Sequence, residues 1–236
     1  MTEINNFTKE SVSKGLSFNE VVRLRKACRR FLPRPVALET ITSVLEDAQQ
    51  SPSNCNTQPW STHIVSGKKL EELSEAILQA KKAEDISLDF SFDENHFYGR
   101  YAERQKAQGK VYYESIGVAR EDKEARKAAS DYGCRFFGAP HVAFLFMPSF
   151  GDNVRVAGDL GMYGQTFLLS LVDHGLAGIP MTALAFFADT IRQTLHISDE
   201  FNLLFGMPFG YADLNAPGAE IKLGRDEISR NVIFHQ

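Results

Sequence analysis

Ser51-Pro-Ser-Asn-Cys-Asn-Thr-Gln-Pro-Trp60 is an uncharged run that carries two prolines and ends on the only tryptophan of the chain. Small polar residues of this kind build turns. Asn and Gln amides also offer donors and acceptors side by side, which suits the edge of a heterocycle that carries both. On its amino-terminal side, Ile41, Val44, Leu45 and Ala48 fall at i, i+3, i+4 and i+7, one apolar helix face that Pro52 must terminate. On the other side, residues 60–65 read as a strand. The run therefore joins a helix to a strand and supplies neither.

The same reading extends outward. Ser17-Phe-Asn-Glu20 has the form of a capping box, which starts a helix near Phe18. Leu70, Leu73, Ile77 and Ala80 repeat the helical spacing, and Val142-Ala-Phe-Leu-Phe146 is a continuous apolar run expected of a buried strand. Residues 156–174 read as a largely buried helix, 177–181 as a strand, 190–195 as a helix and 203–211 as a last central strand. Strands separated by helices predict an α+β or α/β sheet covered by helices. The segment from about 84 to 128 is polar, rich in Tyr and charge, and lacks an apolar stripe; it reads as a helical insertion over the body of one domain spanning 1–236.

Composition narrows the function classes. The chain has 236 residues, a formal net charge of −4 and 43% hydrophobic residues, as expected of a soluble globular protein. An acidic balance gives no global reason to coat nucleic acid or an anionic membrane. No apolar run approaches the about 20 residues needed to span a bilayer, and residues 1–6 lack the character of a signal peptide. Three cysteines without paired spacing indicate neither a disulfide framework nor a zinc site. A cytoplasmic protein is the expectation.

Against that balance, Arg23, Arg25, Lys26, Arg29, Arg30 and Arg34 crowd into twelve positions, 23–34. Such crowding asks for a local anion. Arg25 and Arg29 stand four apart and would share a face on a helix or its frayed end, where two guanidinium forks can hold a phosphate. A solvated helix face paired with Glu20 or Glu39 is the alternative. Gly178-Ile-Pro-Met-Thr-Ala183 is an apolar strand end running into small residues, where backbone could approach a flat ligand, and Lys222 and Arg225 add charge to the tail. No phosphate-binding glycine loop, zinc-protease or nucleophile-elbow motif is present, and the six histidines show no ligand spacing.

In this order the segments resemble the FMN-dependent nitroreductase family. The pieces that carry the likeness are Arg25-Lys-Ala-Cys-Arg-Arg-Phe31, Ser51 to Trp60, Phe136-Phe-Gly-Ala-Pro140, Asp159-Leu-Gly161, Gly175-Leu-Ala-Gly-Ile-Pro180, Phe209-Gly-Tyr211 and the Lys222/Arg225 tail. The polar insertion resembles that of the branch reducing nitroaromatic acids. The resemblance implies an α+β sandwich with a central, mostly antiparallel sheet flanked by helices, in an intertwined homodimer with FMN at the subunit interface. By position, Arg25, Lys26, Ala27 and Arg29 would meet the FMN phosphate and ribityl chain, joined by Lys222 and Arg225. Pro52, Ser53, Asn54 and Asn56 would come from the other subunit. Asp159 and Gly161 would lie near the flavin, and Pro180, Met181, Thr182 and Ala183 along its ring.

Three positions depart from the family pattern: Ala27 stands where many relatives have Ser, Tyr132-Gly133 where an Asn is common, and Thr182 where some have an acid. The implied activity is ping-pong oxidoreduction, with NADH or NADPH as donor and a nitroaromatic, quinone or similar small molecule as acceptor. No metal and no catalytic side chain is expected, because the cofactor carries the chemistry. Phe97, Tyr98, Tyr101, Arg104, Phe186 and Phe187 are candidates for acceptor contacts. A dehalogenase or flavin-destroying enzyme of the same fold is the nearer alternative. A nucleic-acid-binding module is the distant one.

Overall fold

The structure, a computed structural model, describes residues 15–236. The reading of residues 1–6 lies outside the described residues. Four strands, β1 (Ser61–Ser66), β2 (His141–Pro148), β3 (Ala177–Gly178) and β4 (Phe201–Gly210), form one sheet in the order β1-β2-β4-β3. All three ladders are antiparallel. The second strand is covered on both faces. Val142, Phe144 and Phe146 join one core, with α3 (Gly67–Lys82), α5 (Lys123–Cys134) and α7 (Ala188–Leu195). Ala143, Leu145 and Met147 join the other, with α2 (Leu38–Gln49) and α6 (Val154–Asp173). A strand buried on both faces has no polar side to show, hence the unbroken apolar run.

The capping box is present: the Ser17 hydroxyl and Glu20 carboxylate cap α1 (Phe18–Leu24) reciprocally. Ile41, Val44 and Ala48 are the buried face of α2, and Leu70, Leu73, Ile77 and Ala80 that of α3. The expected strand over 177–181 is shorter, because Pro180 has no N–H to continue the ladder. Past the proline the chain rejoins through a bridge between Met181 and Gly206.

The 84–128 segment differs from a simple helical insertion. Residues 84–98 hold one short 3-10 helix, Glu94–His96, and a parallel bridge from Ser87 to Phe187, before α4 (Gly99–Ser115) begins. α4 buries no side chain. α5 starts inside the expected boundary and buries Gly133 and Cys134 against the body. The base of the segment is tied down by the Arg192 guanidinium, which donates to both oxygens of Asp89 at 2.6 and 2.9 Å. Its far side reaches the carboxy-terminal tail through an ion pair of Arg104 with Asp226. No helix among the described residues is long and apolar enough to cross a membrane.

Candidate active site

Arg23 lies in α1, and from Arg25 on the basic run is extended rather than helical. α1 ends at Leu24, and Arg25 turns the chain outward with ψ 118°. Ala27 then bridges in parallel to Gly178, with the Cys28 N–H donating to the Gly178 carbonyl at 3.2 Å, and Phe31 bridges to Ala212. Gly178 also packs tightly on α6: a Cβ there would stand 2.8 Å from the Leu171 Cδ1 atom and 3.0 Å from the Leu168 Cδ2 atom. In extended chain the period is two, so Arg25 and Arg29 still share a side, for a different reason than helical spacing.

That run walls a cavity of about 750 Å³. Arg25, Lys26, Ala27 and Arg29 line it together with Gln165 and Leu168 of α6, Pro180, and Lys222 and Arg225 of the tail. Among the described residues, none of these five cations pairs with a carboxylate. Lys26 draws the tail in by donating to the Ala219 carbonyl at 2.6 Å. Burial lowers the pKa of Arg25, and the like charge of Arg225 lowers it further. Burial also lowers that of Arg29, opposed by the Tyr112 hydroxyl, over whose ring the guanidinium sits at 5.0 Å. Half-buried guanidinium groups crowded without a counter-charge are a site prepared for a multiply charged anion. The donor set fits a phosphate.

The 51–60 loop lies elsewhere on the same chain. Asn54–Asn56 form one tight turn, with positive φ at Cys55 (51°), Asn56 (56°) and Gln58 (47°). Buried Asp159 holds it: the Asn54 N–H donates to both carboxylate oxygens, at 3.0 and 3.1 Å. Ser51 donates to the Thr166 hydroxyl at 2.8 Å, and Trp60 stacks on Tyr163 with centroids 4.9 Å apart. All three anchors stand on α6, whose Gln165 and Leu168 face the basic cavity. Pro52, Ser53, Asn54, Asn56, Asp159 and Gly161 do not line that cavity within one chain. The side chains of Asn54 and Asn56, and Gly161, are instead exposed.

The strand end at 180–183 divides two spaces. Pro180 lines the basic cavity, whereas Met181 and Ala183 line a slot of about 340 Å³ with Phe186, Phe187, Phe137, Tyr112 and Tyr113. The Met181 N–H is spent on the Gly206 carbonyl at 2.8 Å. Thr182 and Ala183 open the short helix Thr182–Phe186, so their exposed N–H groups have no intrahelical partner. Of the acceptor candidates, Phe186 and Phe187 reach the slot. Phe97 packs on Phe92, Tyr98 on Tyr101, and Arg104 is spent on Asp226. Where many relatives carry an Asn, the Tyr132 hydroxyl donates to the Phe137 carbonyl at 2.8 Å, and the neighbouring Arg135, the residue that could supply that ring contact instead, is exposed. Gln165 carries no signal of its place in the sequence, whereas the adjacent Tyr112 and Tyr113 in a polar segment are one. No cluster of metal-ligating side chains occurs among the described residues.

The chain has known relatives in sequence and fold. The chain is 37% identical to the nitroreductase NfnB of Mycolicibacterium smegmatis, over 96% of each protein. It is 32% identical to a 4-nitrobenzoate reductase of Pseudomonas putida, over 89% of this chain and 91% of that one. The crystal structure of the FMN-dependent nitroreductase NfnB from Mycobacterium smegmatis in complex with NADPH superposes with a TM-score of 0.89 at 36% identity, covering 96% of this chain and 99% of that one. The model of the nitroreductase family matches residues 22–211, and the chain belongs to that family.

Proposed function

We propose that this chain is an FMN-dependent NAD(P)H oxidoreductase reducing nitroaromatic, quinone or similar electron-poor acceptors. In this reading it is one FMN-binding domain, active in the cytoplasm as a homodimer. The observation that carries the reading is the basic cavity, whose unneutralised cations meet an aromatic slot at the 180–183 strand end. The chemistry FMN supplies when bound is two-electron exchange, with hydride taken from NAD(P)H and electrons passed to an acceptor on the same ring.

The protein's part is to bind, orient and shield. Arg25, Lys26, Arg29, Lys222 and Arg225 hold the phosphate end. Ala27 lies on the same wall and brings no hydroxyl. Thr182 and Ala183 offer free main-chain N–H donors toward the ring, and Met181 is held in place by its bridge to Gly206. Pro52, Ser53, Asn54, Asn56 and Gly161 are exposed or partly exposed on one side of α6 and do not reach their own chain's cavity. That placement supports a second subunit completing the site, with Asp159 acting as the fixture behind the loop rather than as a ligand. Phe186, Phe187 and the two tyrosines surround the acceptor side with apolar surface that excludes water.

Purified protein is expected to be yellow and, with NADH or NADPH, to reduce 4-nitrobenzoate or a benzoquinone while its flavin remains intact. A colourless protein that takes up no added FMN overturns the reading. Turnover that consumes the flavin or releases halide instead favours the specialised enzymes of this fold.

A further inference from the structure

Among the described residues five glycines are buried, and four of them stand where a side chain does not fit. At Gly164, Gly178, Gly206 and Gly210 a Cβ would come within 3.0 Å of a neighbouring atom. Gly133 is the exception. It sits in the last turn of α5, with helical backbone and no positive φ. The nearest neighbours of a Cβ there would be the Met181 Cε and Phe137 Cζ atoms, both at 3.6 Å, an ordinary van der Waals separation. Glycine inside a helix is destabilising relative to alanine, because it gives up more backbone entropy on folding. Neither the backbone nor the packing asks for a glycine at 133, so the fold forgoes stability at this position.

What the missing side chain leaves behind is room in the aromatic slot. Gly133 lines that slot, and so do Met181 and Phe137, the two residues that its Cβ would meet. A side chain added at 133 would therefore project between two of the slot's own walls. The slot measures about 340 Å³, whereas a cavity of about 150 Å³ already lodges a benzene ring. Tyr112, Tyr113, Phe186 and Phe187 give it flat aromatic walls. Lys81 is the one charged side chain in the lining, and its ammonium is spent on the Ser130 hydroxyl and the Asp131 carboxylate, each at 2.7 Å. The slot thus suits a flat, uncharged molecule larger than a single ring.

We propose that Gly133 is a specificity-determining residue of the acceptor site: the side chain it lacks gives the slot the depth to admit uncharged acceptors of two fused rings, such as naphthoquinones and nitronaphthalenes. The inference rests on the reading of the chain as an NAD(P)H oxidoreductase and adds an acceptor size, set by one residue, to it. Reduction of 1,4-naphthoquinone consumes one NAD(P)H and one proton and yields the hydroquinone and NAD(P)⁺.

The test compares kcat/KM for 1,4-naphthoquinone and 1,4-benzoquinone, with one donor, in FMN-loaded wild type and Gly133→Ala. Taking the variant-to-wild-type ratio for each acceptor removes their difference in intrinsic reactivity. In the same proteins 2-naphthol and phenol, which accept no electrons, are titrated calorimetrically, and the apoproteins are melted. Gly133→Ala is expected to lose about tenfold more kcat/KM with naphthoquinone than with benzoquinone, the discrimination one added methyl group produces in an apolar pocket. The affinity for 2-naphthol should fall by a similar factor relative to phenol, while the variant apoprotein melts at or above the wild-type temperature. Equal losses with both quinones, or an unchanged preference for 2-naphthol over phenol, overturn the proposal. A variant apoprotein that melts lower, or does not fold, overturns it too, because the glycine would then serve the fold. Should neither quinone be reduced by wild type, the oxidoreductase reading fails, and the naphthol and phenol titrations alone decide whether Gly133 sets the depth of the slot.

Discussion

Arg25→Gln should move apoprotein stability and cofactor affinity in opposite directions. In the apoprotein, Arg25 is half-buried beside Arg225 with no carboxylate to offset either charge, and both burial and that neighbour lower its pKa. Removing one of two facing cations relieves repulsion of a few tenths of a kcal/mol, so the apoprotein should be as stable as wild type or slightly more so. With FMN the sign reverses. Loss of one charge-assisted contact costs about 2 kcal/mol, or roughly 30-fold in Kd. At an FMN concentration near 100 times the wild-type Kd, binding stabilises wild type by about 2.7 kcal/mol, and the variant by only about 0.9 kcal/mol. For a chain of this size the cofactor-induced rise in Tm should fall from about 5–10 °C to about 2–3 °C. Thermal melts with and without FMN, together with a flavin-fluorescence titration, measure both quantities. A destabilised apoprotein whose FMN-induced shift is unchanged would refute the assignment of this cluster to the phosphate.

Asp159→Leu leaves the Asn54 N–H without its acceptor, which costs about 1–3 kcal/mol; the loop should then become protease-sensitive and FMN binding weaken, and unchanged proteolysis at 51–60 would refute the role of Asp159 as a fixture. His141 is buried, its Nε2 accepts from the Val36 N–H at 2.9 Å, and burial lowers its pKa. A depressed imidazole pKa means the unfolded chain binds the proton first, so the contribution is intact above about pH 6.5 and is lost as pH falls below it. Urea unfolding at pH 7.5 and 5.5 should show that loss, and His141→Gln should flatten it; His63, also lowered by burial, acts with the same sign. Gly206→Ala would place a Cβ 2.7 Å from the Leu184 Cδ1 atom and 3.0 Å from the Phe144 ring, so unfolding experiments should show a loss of about 1–3 kcal/mol.

Local pattern revealed most of the scaffold. Ile41, Val44 and Ala48, the run 142–146 and the Ser17/Glu20 box each carry their structure within a few residues, and each became the element it reads as. What escaped depends on partners far along the chain. Arg25 to Arg29 have ordinary helix formers around them, yet the strand edge at Gly178 recruits them into extended chain. Asp159 reads as a helix residue near a ligand, and only its contact 105 positions away shows that its carboxylate faces the loop backbone. The positive φ of Gln58 has no signature in a residue type that seldom adopts it. For the candidate site, the composition of the 51–60 loop and of the basic run was legible. That α6 anchors the loop through Asp159, Tyr163 and Thr166 while Gln165 and Leu168 of the same helix line the cavity was not, because it is a property of the packed chain.

The helix α4 contributes no side chain to either core. Substitutions along it therefore escape the penalty that guards Phe144 or Leu160, and surface changes of this kind usually stay within about 0.5 kcal/mol. The sheet and α6 must conserve their packing to keep the basic cavity in shape, whereas residues 99–115 can drift while the fold stands. Random libraries confined to the exposed positions of α4 are therefore expected to yield mostly folded variants, so that any change in acceptor range among them can be measured without a loss of stability obscuring it.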